Sequence, residues 1–384
     1  MMHEQEKKIL FWSPMLRHVG TLKATIEMAE SFYKYENYKV FILNIFGEFN
    51  EYKNSHNFFI INISNIKKFI PKIFRTGFSS KIIIYFFTIL LIPIIIFKIK
   101  KINPQYFIVS LMGYLALLLK LVFFNKIFII NSIQGYPKLN FLRKLLWKFF
   151  YNKSNLIITM TNKTKEELVK KINIEDSKII KIDNPIISRS IRIISKESFD
   201  NFEKIIFTKK VFCSVGRLTK QKNYLELLVG LKKYFDDYDK NFNLLIIGEG
   251  EMREQLSNYI KKNNIKNFFL LGFKKNPFKY IARSNLYISS SLWEEPGHTL
   301  IEAGYLNVPI VTTDCPNGPK EIIIDGFNGF KYQQGNINDF LLKINKVNSL
   351  ERSELYKILV NMKKTTKDFT KFRFINKLKN YVNF

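Results

Sequence analysis

The chain has 384 residues, 47% of them hydrophobic, which is enough for two domains of roughly 100–200 residues and too much for a mainly disordered chain. It carries 61 Lys and Arg against 32 Asp and Glu, a formal +29, and 18 of the cations lie between Glu51 and Glu166 in 114 residues without one acid. Those cations are interleaved with long Ile, Leu and Phe runs and form no polar basic stripe or recognition motif, which argues against a nucleic-acid binder.

The N-terminus carries Glu4 and Glu6 where a secretory signal would be positive, and no long apolar segment follows, so export is not expected. Lys8 to Ser13 predicts a strand, Thr21 to Tyr35 a helix, and Tyr38 to Asn44 the next strand. Ile82 to Phe97 holds sixteen uncharged, mostly apolar residues with Pro93 inside and Lys98, Lys100 and Lys101 directly after. It falls short of the roughly 18–20 residues a bilayer span needs, and predicts a buried or membrane-surface helix. Tyr106 to Ser110 (strand), Gly113 to Phe123 (helix), Lys126 to Ile133 and Leu156 to Thr159 (strands) and Lys163 to Lys171 (helix) continue the alternation.

The first array ends near Lys178 to Pro185, and the polar stretch Ser188 to Lys204 reads as a linker. A second array follows, with strands at Lys210 to Val215, Asn243 to Ile247, Phe268 to Leu271, Leu286 to Ser289 and Pro309 to Thr312. Helices are expected between them at Tyr224 to Phe235, Met252 to Lys262, Pro277 to Ala282 and Thr299 to Leu306. Such alternation predicts an α/β chain of two Rossmann-like domains with parallel sheets, whose ligands bind outside the carboxyl ends of the strands in the cleft between them. The expected boundaries are 1–187 for the first domain, with a basic, apolar, membrane-facing region at 52–165, then a linker at 188–206. The second domain takes 207–365, and a final helix at 366–384 packs back on the first. Cys213 and Cys315 are too few and too isolated for a disulfide framework or a zinc site, and fit a reducing compartment.

Two constellations carry chemistry. In Gly216-Arg217-Leu218-Thr219-Lys220-Gln221-Lys222 a strand stops at a glycine and enters a helix through a basic turn. Helix N-terminal amides with Arg217 and Lys222 suit a phosphate or diphosphate; a solvated basic turn is the bland alternative. In Trp293-Glu294-Glu295-Pro296-Gly297-His298-Thr299-Leu300-Ile301-Glu302, one carboxylate precedes a turn and the other lies inside the following helix. Carboxylates accept bidentate bonds from vicinal hydroxyls, and the His298 to Leu300 amides would form a second anion cradle; helix capping by Glu294 or Glu295 is the alternative. Asp237-Tyr238-Asp239 formally matches a metal motif but lies in a polar turn before a strand and is not expected to hold a metal.

These motifs, with Ile247-Gly248-Glu249-Gly250, Leu271-Gly272-Phe273 and Asp314-Cys315-Pro316-Asn317-Gly318-Pro319-Lys320-Glu321 in this order, resemble the C-terminal half of family 4 glycosyltransferases of the GT-B fold. The resemblance runs from about Lys210 to Phe330. It implies transfer of a sugar from a nucleotide-diphosphate donor with retention of configuration and no bound metal or other cofactor. By the same resemblance Arg217 and Lys222 hold the donor diphosphate beside Gly216, and Glu302 binds the ribose. Glu294 binds hydroxyls of the transferred sugar, backbone near Phe273 flanks the base, and the amides of His298, Thr299 and Leu300 face the phosphates. The first half matches less well. The loop after the first strand has only Gly20, with Arg17 and His18 nearby, where many members carry a glycine pair. Gln134 stands where many have a histidine, and it cannot act as a general base.

The expectation is a retaining glycosyltransferase using a UDP-hexose or UDP-N-acetylhexosamine and a lipid-linked or glycan acceptor, as in polysaccharide, capsule or lipopolysaccharide assembly. It would be cytoplasmic and peripheral, held at the inner face of the cell membrane by an anionic lipid surface. A nucleotide-sugar epimerase on the same fold is the enzymatic alternative, and a basic nucleic-acid binder the non-enzymatic one.

Overall fold

A computed structural model describes residues 6–16, 20–52, 58–71, 77–137 and 139–382. The chain divides into two compact units, residues 1–186 with 371–384, and residues 187–370.

Among the described residues, unit 1 contains β1 (Lys8–Trp12), β2 (Lys39–Asn44), β3 (Phe59–Asn62), β4 (Tyr106–Val109), β5 (Phe128–Ile133), β6 (Leu156–Thr159) and β7 (Ile179–Lys181). They pair in parallel in the order β3-β2-β1-β4-β5-β6-β7. The central strands are covered on both faces, which is why they read as unbroken apolar runs. In β1, Leu10 and Trp12 enter one core while Ile9 and Phe11 enter the other, the two-residue period of a strand. Helix α1 (Gly20–Glu36) covers one face. The other face carries α2 (Gly77–Leu90), α3 (Ile92–Ile102), α4 (Gly113–Phe123), α5 (Phe141–Tyr151) and α6 (Asn162–Ile172).

The apolar run expected as one helix is two, because α2 and α3 meet at a 63° bend. Pro93, in the first turn of α3, has no N–H with which to continue the ladder of α2. No single described helix is long and apolar enough to cross a membrane. The short edge strand β3 and helix α5 were not foreseen.

Unit 2 begins with α7 (Arg189–Ile194) and α8 (Asn201–Ile206), so the segment expected as a linker is folded. A capping box between Asp200 and Glu203 starts α8, and Glu203 is then held by Lys279 at 2.7 Å and by the Tyr280 hydroxyl. Arg283 donates to the carbonyls of Ser195, Lys196 and Glu197. Tertiary contacts give this polar stretch the order that its composition does not suggest.

The rest of unit 2 runs β8 (Lys210–Val215), α9 (Tyr224–Asp237), β9 (Phe242–Ile247), α10 (Arg253–Lys262), β10 (Phe268–Gly272), α11 (Phe278–Ile281), β11 (Leu286–Ser289), α12 (His298–Tyr305), β12 (Ile310–Thr313), α13 (Gly318–Ile322), β13 (Phe330–Tyr332), α14 (Ile337–Ser349) and α15 (Arg352–Thr366). Its sheet is parallel in the order β10-β9-β8-β11-β12-β13. Residues 366–370 stay with unit 2, and only α16 (Lys371–Lys379) returns to unit 1. There Phe374, Ile375 and Leu378 join the core beside α1, and Lys371 pairs with Glu27 and Glu30. Strand order reverses between β1 and β4 in unit 1 and between β8 and β11 in unit 2. Loops diverge at such points and leave a crevice at the carboxyl ends.

Candidate active site

At the reversal point of unit 2 the loop after β8 carries the first basic constellation. Gly216 is there for space: a Cβ would lie 2.9 Å from both Lys222 Cε and the Tyr224 hydroxyl. Its absence lets Lys222 fold back over the strand end. Gly248 is tighter still, since a Cβ would sit 1.9 Å from the Gly216 carbonyl oxygen. The two glycine loops therefore stack backbone on backbone, joined by Gly216 N–H to the Ile247 carbonyl (3.0 Å) and Leu218 N–H to the Glu249 carbonyl (3.0 Å). Asn223, left-handed at φ 49°, turns the chain into α9.

The loop after β11 is stitched to this one. Ser290 Oγ donates to the Lys222 carbonyl at 2.9 Å, the Leu292 amide to the Gln221 carbonyl at 2.8 Å, and Gln221 Nε2 to the Trp293 carbonyl at 2.9 Å. Those bonds bring Lys222 and Glu294 together. Lys222 Nζ donates to Glu294 Oε1, and Ser291 Oγ donates to the same oxygen at 2.6 Å. The Lys222 side chain is 15% exposed and that of Glu294 is 9% exposed. Behind Glu294 the Asn317 loop forms a parallel bridge, with the Gly318 amide donating to the Glu294 carbonyl at 3.3 Å. A Cβ on Gly318 would lie 1.6 Å from the Pro296 carbonyl oxygen, so that close approach needs glycine.

The other residues expected in unit 2 lie on the loop after β8, on α12 and at the end of β10. Arg217 is exposed and makes no ion pair among the described residues, so of the two cations expected to meet a phosphate Lys222 is engaged and Arg217 is not. Glu302 is buried one turn inside α12. Leu300 departs from expectation: its amide donates to the Gly297 carbonyl at 3.0 Å, closing the first turn and removing it from the anion cradle. His298 and Thr299 open α12, ahead of any carbonyl four residues back in the helix. Phe273 follows Gly272 (φ +74°) at the end of β10, with its ring 72% exposed.

Sequence reasoning missed the residues that hold this arrangement. Ser291 and Gln221 position the two loops, and only a serine run at a strand end hinted at it. Thr219 Oγ1 and Asn317 Oδ1 are buried beside the pair without a hydrogen-bond partner. Buried polar atoms of this kind are almost always satisfied, so they mark places where a polar ligand or water belongs.

Asp237 and Asp239 are engaged in ion pairs with Lys233 (3.0 Å) and Lys210 (3.4 Å). Among the described residues no three His, Cys, Asp or Glu side chains are grouped to hold a metal ion. Cys213 and Cys315 are free thiols, and burial pushes both up to about 12. In unit 1, His18 lies outside the described residues, and Gly20 is the first residue of α1. Gln134 is committed to the Asn184 amide, accepting from its Nδ2 at 2.8 Å and donating to its Oδ1 at 3.2 Å.

Residues 195–367 match the model of the family described as glycosyl transferases group 1. That segment is therefore similar to a group 1 glycosyltransferase domain. An uncharacterized glycosyltransferase of Methanocaldococcus jannaschii is 34% identical over 213 residues, 52% of this chain and 50% of its own length, so this chain matches about half of that relative. The N-acetylgalactosamine-N,N'-diacetylbacillosaminyl-diphospho-undecaprenol 4-alpha-N-acetylgalactosaminyltransferase of Campylobacter jejuni is 29% identical over 289 residues, 71% of this chain and 76% of that protein. Among solved structures, a glycosyltransferase from Rickettsia africae superposes with a TM-score of 0.75 at 18% identity over 98% of both chains. Anabaena HepE in complex with UDP gives 0.75 at 15% identity, over 97% of this chain and 98% of that one. The fold is therefore GT-B, and the whole of the family match lies in unit 2.

Proposed function

We propose that this chain is a group 1 glycosyltransferase that moves a sugar, with retention of configuration, from a UDP-hexose or UDP-N-acetylhexosamine to a lipid-linked or glycan acceptor at the cytoplasmic face of the cell membrane. The observation that carries the reading is the buried Lys222–Glu294 pair with unpaired Arg217 in the same loop, at the reversal point of a parallel sheet. A donor diphosphate suits this loop. Arg217 supplies an uncommitted charge, and Lys222 a second one that Glu294 and Ser291 hold in place. As the glycosidic bond breaks, both cations stabilise the charge that gathers on the leaving phosphate. The departing phosphate takes the proton of the acceptor hydroxyl, so Gln134 need not act as a base. Glu294 reads hydroxyls of the transferred sugar, Glu302 the ribose diol, and Phe273 flanks the base. The bound UDP of Anabaena HepE and the diphospho-undecaprenol in the name of the Campylobacter jejuni enzyme support this donor and acceptor class.

The test is to incubate the full chain with each of several UDP-sugars, with and without a polyprenyl-diphosphate sugar, measuring UDP release and the extended lipid. Acceptor-dependent UDP release that Lys222→Ala abolishes is expected. Conversion of the donor sugar without an acceptor would assign an epimerase instead.

A further inference from the structure

We propose that the outer side of the α2–α5 layer of unit 1 is a monotopic membrane dock that lies in one leaflet of an anionic bilayer. The inference rests on the proposed reading only in that a lipid-linked acceptor gives the dock a use. Ile82, Phe86, Ile89, Ile94 and Phe97 are 44–62% exposed and run as one helical stripe across the bend between α2 and α3. The opposite side of α3, Ile95, Ile99 and Ile102, is buried in the core. On α5, Phe141, Leu142, Leu145 and Phe149 are 51–79% exposed. The helices adjoin, because Tyr85 of α2 stacks on Tyr114 of α4 at 5.9 Å, and Tyr114 meets Phe150 of α5 at 6.4 Å. Monomeric soluble proteins rarely leave so much contiguous apolar surface to water.

Charge selects the occupant. This layer comes from the acid-free part of the chain, and Lys81, Lys100, Lys101, Lys144 and Lys148 stand exposed among the apolar side chains. A second copy would bring the same cations face to face, whereas an anionic lipid surface attracts them. The helices on the other side of the sheet carry carboxylates instead, Glu27, Glu30 and Glu36, paired with Lys371 and Lys379. The bent α2–α3 pair has the length and composition of a broken span, but the packing of Ile95 and Ile99 argues against one, since a span would strip both from the core. Insertion is limited to the outer stripe, with lysines at the headgroups.

The experiment is flotation of the full chain with phosphatidylcholine vesicles, with and without about one third phosphatidylglycerol. The pairs Phe86→Ser with Phe97→Ser, and Phe141→Ser with Phe149→Ser, should each lower vesicle partitioning by about tenfold or more. Lys100→Glu with Lys101→Glu should lower it about tenfold on anionic vesicles alone. Tyr356→Ser, which removes an equally exposed ring from unit 2, should float like the unmodified protein. Thermal melts and UDP release on the same proteins keep the two ideas separate. Vesicle binding without UDP release would sink the transferase reading and leave the dock standing. Variants that float unchanged, equal recovery on neutral and anionic vesicles, or a vesicle-free dimer that the Phe variants dissociate would each overturn the dock.

Discussion

Replacing Lys222 by Met keeps most of the stem that fills the space over Gly216 and removes the ammonium that Glu294 is packed against. The carboxylate is then left nearly buried with only Ser291 as a side-chain donor. Removing one partner of a buried ion pair costs about 3 kcal/mol, more than the pair contributes relative to two neutral groups. In a unit of this size that corresponds to a fall of roughly 6–12 °C in Tm. Glu294→Gln should be destabilising in the same sense. The double variant should recover most of the loss, with a coupling energy of about 1–3 kcal/mol. Turnover should not follow stability. Each single variant is expected to lose about 100- to 1000-fold in kcat, and the double variant should stay inactive because in the proposed reading both groups also face the donor. Ligand-free melts followed by circular dichroism and initial rates of UDP release measure the two effects separately. A Lys222→Met protein that melts with the parent, or a double variant that regains turnover, would refute the reasoning.

Other outcomes follow from single positions. Gly318→Ala places a Cβ 1.6 Å from the Pro296 carbonyl oxygen, so the loop behind Glu294 must move; UDP affinity measured by calorimetry should fall at least about tenfold. Phe273→Ala should leave Tm unchanged, because the ring is exposed, and raise the donor KM by about 5- to 100-fold through lost base stacking; an unchanged KM would remove Phe273 from the site. Glu48 is fully buried, and burial pushes its carboxyl up to about 7 from the usual 4.5 although it accepts the Ile45 and Phe46 amides. Between about pH 4.5 and 7 the folded chain therefore holds a proton there that the unfolded chain has released. Its contribution is complete below about pH 4.5 and is lost as pH rises through 7, by about 3 kcal/mol. Urea unfolding at pH 5 and pH 8 should show that loss for unit 1, and Glu48→Gln should flatten it.

The alternation of strands and helices was legible because central parallel strands are apolar on both faces. Leu156–Thr159 and Gly113–Phe123 begin and end where their sequence patterns do. The segment 188–206 was not, because its order comes from Lys279, Tyr280 and Arg283, more than seventy residues away. The Ile82 to Phe97 run was misread because one proline, two residues into α3, splits it. At the site, the glycines and charged residues were visible as motifs. Leu300 was assigned an amide role that the first turn of α12 already consumes, Ser291 was missed, and Asn317 stood in a motif without a role, because a serine and an asparagine carry no signal until a loop folds over them.

The return of α16 to unit 1 has a bearing on synthesis. Phe374 meets Phe32 edge-on at 6.4 Å, and Lys371 answers two carboxylates of α1. The ribosome makes these residues only after the whole of residues 187–370. The nascent chain must therefore hold α1 with part of its apolar face uncovered while the second unit folds, and the domain begun first is the last to be sealed.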